Sequence, residues 1–225
     1  NLNVITFGLN NNADIYPLKI SEENKFYKIQ ANIFKNKLEF HYKGHYLSNI
    51  LGTLAVLKAL NLNIDFVKER FKTLLLSEGR GKFHKIKIYN TSFNLIDESY
   101  NANPLSMSKS ILKLSNLKKI KSNKYLLLGD MLELGKKSEK LHNDLSYIIN
   151  KSNIKKLFVH GKLIMNTYKY VDRDKRGNVL QFKSDFKETI LPLIKKNDYL
   201  LIKGSNATGL NKISERLIRG KLNAL

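Results

Sequence analysis

The chain has 225 residues, a formal net charge of +21, 42% hydrophobic residues and no cysteine. It is long enough for one large domain or two small ones with a real core, and the lack of cysteine excludes disulfides and thiolate metal sites. No apolar run approaches the ~18 residues that span a bilayer, so membrane insertion is not expected. The opening N-L-N-V-I-T-F-G has neither a basic n-region nor a small-residue cleavage site. It also lacks an initiator Met and reads as the inside of a strand, so the chain is expected to be part of a longer protein. The lack of cysteine is compatible with the cytoplasm, where the protein is expected, and a monomer is expected. The lysines are spread along the sequence in short clusters, such as Lys136-Lys137 and Lys195-Lys196, at predicted loops and helix ends. With no RNA-binding aromatic signature or zinc-finger spacing beside them, they read as surface composition and not as a specific nucleic-acid site.

In chain order, strand character appears at Val4–Phe7, Ile15–Ile20, Phe26–Phe34 and Leu38–Tyr42, with a turn at Lys35-Asn36-Lys37. A helix is predicted over His45–Leu60, where Leu47, Ile50, Leu51, Leu54 and Leu57 fall on one face. A second helix is predicted over Asp65–Leu75. Gly79-Arg80-Gly81 then punctuates the chain and sets the domain boundary between 1–79 and 80–225. A hairpin of His84–Tyr89 with Phe93–Asp97 follows. Beyond it helices near Pro104–Leu117, Ser138–Ile149, after Gly161 and Asp185–Ile194 alternate with strands Tyr125–Leu128, Lys156–Val159, Val179–Phe182 and Tyr199–Ile202. A final helix starts near Thr208. The fold class is α/β: a C-terminal Rossmann-like, mostly parallel sheet with helices on both faces, preceded by a strand-and-helix segment.

Leu95–Met107, L-I-D-E-S-Y-N-A-N-P-L-S-M, is the most informative stretch. An apolar strand ends in Asp97 and Glu98, a loop carries Tyr100 and Asn101, and a helix opens at Asn103-Pro104. Asn suits the N-cap and Pro the first helical position. Such a connection sets acidic, amide and aromatic groups in the crevice where open α/β sheets bind ligands. Asp97 and Glu98 point to opposite sides of their strand, so either could face a ribose. Arg80, flanked by glycines, offers a guanidinium fork for phosphate oxygens. Asp130 and Glu133, in L-G-D-M-L-E-L-G, are acids at the end of a strand. Lys203-Gly204-Ser205 ends the last strand as a Lys beside a Gly-Ser turn, suited to a carboxylate or phosphate. No G-x-x-x-x-G-K-[ST] occurs, hence no P-loop cradle.

Y-N-A-N-P directly after D-E-S, followed by Ser106-Met107, resembles the C-terminal domain of the Mur ligases of peptidoglycan synthesis, specifically the type that adds D-alanyl-D-alanine to UDP-N-acetylmuramoyl-tripeptide. L-G-D-M-L-E-L-G with His142 in the next helix, Lys203-Gly204-Ser205, and the H-x-x-x-N of His45 and Asn49 are similar to the same family. The resemblance implies that 1–79 is the later part of the central ATP-binding domain and 80–225 the C-terminal domain. It implies ATP-dependent amide formation through an acyl phosphate, with ATP and Mg²⁺ in the intact enzyme and none tightly bound to this chain. His45, Asn49, Arg80, Asp97, Glu98, Tyr100 and Asn101 would then border the nucleotide. Asn103, Asp130, Met131, Glu133, Lys203, Gly204 and Ser205 would face the D-alanyl-D-alanine and UDP-N-acetylmuramoyl-tripeptide substrates. The P-loop, the metal ligands, the catalytic groups and the UDP-sugar domain would lie upstream, leaving this chain inactive alone. The alternatives are another amino-acid ligase of the superfamily, or a non-catalytic module binding nucleotides or nucleic acid.

Overall fold

Alternation of apolar and polar residues builds the first sheet. In the computed structural model β1 (Ile15–Glu23), β2 (Phe26–Ile33) and β3 (Asn36–Tyr42) form an antiparallel meander, β1-β2-β3. Residues 2–24, 26–43, 47–74, 77–88, 91–117, 121–181 and 185–220 are described. The chain divides into two units, Asn1–Leu76 and Ser77–Leu225. In the first, Ile29, Ala31 and Phe40 of the sheet pack with Leu51 and Leu54 of α1 (Leu47–Ala59).

Three expectations change here. Val4–Phe7 forms no strand beyond a single bridge from Phe7 to Ile15, because the Asp14 carboxylate takes the Thr6 N–H at 2.8 Å that a ladder would use. The β2–β3 turn is tighter than expected: Ile33 pairs with Asn36, and Phe34 and Lys35 both adopt positive φ, the two-residue pattern that matches strand twist. The helix expected over 65–75 is α2 (Asp65–Lys68) followed by a 3₁₀ turn at Glu69–Lys72. Only Phe71 of these is buried, so little apolar packing supports a longer helix.

The second unit is a six-stranded sheet of order β4-β5-β9-β6-β7-β8. β4 (Lys82–Ile88) and β5 (Thr91–Glu98) form the antiparallel hairpin. β5, β9 (Tyr199–Lys203), β6 (Lys124–Gly129), β7 (Lys156–His160) and β8 (Arg176–Val179) run parallel. β6 and β9 are buried along their length, as befits strands covered on both faces. α3 (Pro104–Ser115) and α4 (Ser138–Asn150) bring Met107, Ile111, Leu145 and Ile149 into the core on one face, against Ile96, Leu126, Leu128 and Leu201, and α5 (Met165–Tyr170) packs Met165 and Tyr168 beside them. α6 (Asp185–Thr189) and α7 (Leu210–Ile218) bring Phe186, Ile213 and Leu217 into the core on the other, against Phe93, Leu95, Leu127 and Leu200. The mostly parallel α/β fold is as the sequence reads.

Two boundaries differ. β8 lies at 176–179 where 179–182 was expected, Phe182 lying outside the described residues; it is a polar edge strand whose Arg176 carbonyl is held by the Lys156 ammonium at 2.9 Å. The helix expected over 185–194 stops at Thr189, and Leu191–Leu193 continue as a 3₁₀ turn containing Pro192, which has no N–H for the helical ladder. Among the described residues no helix is long and apolar enough to cross a membrane.

Candidate functional site

The central strands β5, β9 and β6 end side by side, which gathers the motif residues of the second unit at one rim of the sheet. Glu98 pairs in register with Lys203, and Lys203 with Leu128. Strand alternation sends Asp97 to the face of Phe93 and Leu95, and Glu98 to the face of Ile96.

Each carboxylate finds its own partners. Asp97 Oδ2 accepts the Gly79 N–H at 3.0 Å, and Oδ1 accepts the Ser99 N–H at 3.2 Å and hydroxyl at 2.6 Å. Gly79 has φ +71°, and a Cβ there would lie 2.8 Å from Tyr100 Cβ, so only glycine lets this turn close on the loop. The adjoining Arg80 lays its guanidinium over the half-exposed Tyr100 ring, 4.2 Å from the centroid. One face of Tyr100 is thus covered by a cation.

Glu98 Oε2 sits 3.1 Å from Lys203 Nζ and accepts the Ser110 hydroxyl of α3 at 2.5 Å. Lys203 Nζ also donates to the Asn101 carbonyl at 3.0 Å. The buried pair joins β5, β9, α3 and the Tyr100 loop. Glu98 and Lys203, expected on different sides of the reaction, instead contact each other. Asn101 contributes its carbonyl here, and its side chain accepts the Ala102 N–H. The Asn103 side chain accepts the Ser106 N–H at 2.8 Å in a capping box for α3.

The loop after β6 is fastened from several directions. The Asp130 carboxylate accepts the Ile164 N–H at 2.8 Å and the Lys162 N–H at 3.2 Å. Its carbonyl accepts the Ser205 N–H, and the Ser205 hydroxyl accepts the Leu132 N–H, both at 2.9 Å. Gly204 precedes that link, buried at the close of β9. The fully buried His142 accepts the Met131 N–H at Nε2, 2.9 Å, and its Nδ1–H donates to the Ser138 carbonyl at 2.7 Å. These bonds fix the neutral Nδ1–H tautomer. Met131, expected among substrate contacts, instead buries its whole side chain in the core. Glu133 is exposed, with φ +64°.

Asn49 lies on α1 in the first unit, exposed. His45 lies outside the described residues. Ser99, Ser110 and His84 were not singled out from sequence, although alternation along β4 places His84 on the face of Ile86 and Ile88. His84, Glu78 and Asp97 each bring a ligand-type atom within 4.8 Å of the others. The Lys82 ammonium, 2.8 Å from Glu78, holds that carboxyl below its usual range.

A mostly parallel α/β unit of the open-sheet class thus carries acids and a lysine at its central strand ends, and a glycine-flanked arginine just before the edge strand β4. Residues 82–206 match the Mur ligase, glutamate ligase domain, so the chain belongs to the Mur ligase family. A UDP-N-acetylmuramoyl-tripeptide–D-alanyl-D-alanine ligase of Buchnera aphidicola subsp. Baizongia pistaciae is 28% identical over 225 residues, 96% of this chain and 46% of that protein. The ligase of the same name from Bacillus subtilis is 30% identical over 137 residues, 59% of this chain and 30% of that protein. In fold the chain is similar to a MurF ligase of Thermotoga maritima crystallised with ADP, at a TM-score of 0.67 and 20% identity, covering 94% of this chain and 47% of that one. A MurF from Acinetobacter baumannii gives a TM-score of 0.70 at 20% identity, covering 93% of this chain and 46% of that one. The chain spans about half the length, or less, of these relatives.

Proposed function

We propose that this chain forms the later part of the ATP-binding domain (1–79) and the C-terminal domain (80–225) of a cytoplasmic ligase that joins D-alanyl-D-alanine to UDP-N-acetylmuramoyl-tripeptide. In that reaction ATP phosphorylates the tripeptide carboxylate, the dipeptide amine attacks the acyl phosphate, and ADP and phosphate leave. The observation that carries this reading is the meeting of D-E-S-Y-N-A-N-P, L-G-D-M-L-E-L-G and K-G-S at the ends of neighbouring strands β5, β6 and β9. The names of the relatives support it.

Arg80 and the half-exposed Tyr100 ring it covers present a surface suited to nucleotide phosphates and to a base beside the ring. Asp97 and Asn101 border them on the same loop. Asp130 and Glu133, at the end of β6, are the acids for the dipeptide ammonium, beside Ser205 and Gly204. Asn103, Glu98 and Lys203 act by holding the Tyr100 loop and α3 in place. The chain's own work is orientation and charge placement around a reaction whose phosphate cradle lies elsewhere in the enzyme. Mg²⁺ belongs with that cradle: the cluster at Glu78 contains an imidazole, a poor match for a hard, oxygen-seeking ion. Replacing Asp130 by Asn in the intact enzyme is expected to raise the dipeptide KM; unchanged kinetics would remove Asp130 from the dipeptide site.

A further inference from the structure

We propose that Glu78, His84 and Asp97 form a binding site for a divalent first-row transition metal, with Zn²⁺ the best fit. The proposal does not depend on the ligase reading. It starts from His84, whose Nε2 is buried and has no hydrogen-bond partner. The imidazole continues the Ile88, Ile86 row of β4 toward Asp97, because Lys82 pairs with Asp97 and His84 with Leu95 on the adjoining strand. Glu78 Oε2 lies 3.7 Å from Nε2, too far for a hydrogen bond but suited to sharing an ion.

The other two groups are prepared in different ways. Asp97 is buried and oriented by the Gly79 N–H and by the Ser99 N–H and hydroxyl. A carboxylate accepts about four hydrogen bonds, which leaves it a lone pair for a metal. Glu78 is exposed and kept ionised by Lys82, so it can close over an ion arriving from solvent. The ligand atoms lie within 4.8 Å of one another. Tetrahedral bonds of about 2.0–2.2 Å place ligands roughly 3.2–3.6 Å apart, so Glu78 has to close in from solvent and the His84 and Asp97 side chains have to turn toward each other. One imidazole and two carboxylates leave a coordination position for water and favour Zn²⁺ over Mg²⁺ or Ca²⁺. Lys82 opposes the ion, since its ammonium sits 2.8 Å from Glu78 Oε1; binding requires that exposed side chain to turn away.

Metal-stripped chain titrated with Co²⁺ reads the site through visible d–d absorption, and Zn²⁺ competition gives its affinity. We expect one saturable equivalent in the chain. Glu78→Gln and His84→Gln should each weaken binding by about tenfold or more, Lys82→Met should strengthen it, and His41→Gln, removing the other His–Glu pair, should leave it unchanged. Should His84→Gln fail to fold, Glu78→Gln decides, because that side chain is mostly in solvent. Absence of saturable binding below about 1 mM, or Glu78→Gln binding as the parent does, overturns the proposal.

Discussion

Glu98 Oε2 and Lys203 Nζ lie 3.1 Å apart at the ends of two adjacent parallel strands, both nearly sealed from solvent. Desolvating two such charges is costly, and the remaining bonds from Ser110 and to Asn101 make the arrangement tenable. The pair ties the Tyr100 loop to the sheet, so the surface carrying Arg80 and Tyr100 depends on it. Lys203→Met should destabilise the second unit by about 3–5 kcal/mol in urea unfolding, because it strands a buried carboxylate. Glu98→Leu with Lys203→Met should cost less than the sum of the single changes. Additive costs would show the pair to be energetically uncoupled.

Gly161 has φ +130°, and a Cβ there would run into the Asp130 carboxylate. Gly161→Ala is therefore expected to cost about 1–3 kcal/mol and to shift the amide resonances of Lys162 and Ile164, which Asp130 accepts. An Ala variant as stable as the parent, with those resonances unmoved, would contradict this packing.

Burial pushes the Tyr125 phenol above its ordinary value of 10.0, and the Asp198 carboxylate adds to the shift. A raised folded-state value means that stability is fully present below the unfolded value and is lost as pH rises through the folded one. Tyr125→Phe removes both this dependence and the hydroxyl bond to the Leu193 carbonyl, worth about 1 kcal/mol. The parent's advantage over Tyr125→Phe should thus be constant up to about pH 9 and narrow above about pH 10. A gap that widens with alkali would reverse the sign of the shift.

Arg80→Ala should weaken ADP binding about tenfold in calorimetry, through loss of the phosphate fork and of the cation over Tyr100. Tyr100→Phe keeps the ring and should bind within about twofold of the parent. Equal losses in the two variants would point to the Tyr100 hydroxyl instead.

Strands β5, β6 and β9 were legible because buried strands read as apolar runs, and α3 because Asn103-Pro104 announces its start. β8 was misplaced because an edge strand beginning Arg176-Gly177 carries no apolar signal. The break at Pro192 follows from its missing N–H, a signal the sequence carries in plain view. The Glu98–Lys203 pair was not legible: it depends on β9 inserting between β5 and β6, an order that neither strand encodes locally. Met131 shows the limit of a motif, since a residue within a recognisable string can be there to fill the core.

The proposed membership of this chain in a dipeptide-adding ligase makes the choice of amine decisive. That membership is tested most directly by following ADP release and product mass for the full gene product with ATP, UDP-N-acetylmuramoyl-tripeptide and a choice of amine. The expected result is ligation with D-alanyl-D-alanine, little or none with D-alanine or L-glutamate, and no turnover by the 225-residue chain alone. Faster ligation of a single amino acid, or turnover by this chain by itself, would contradict it.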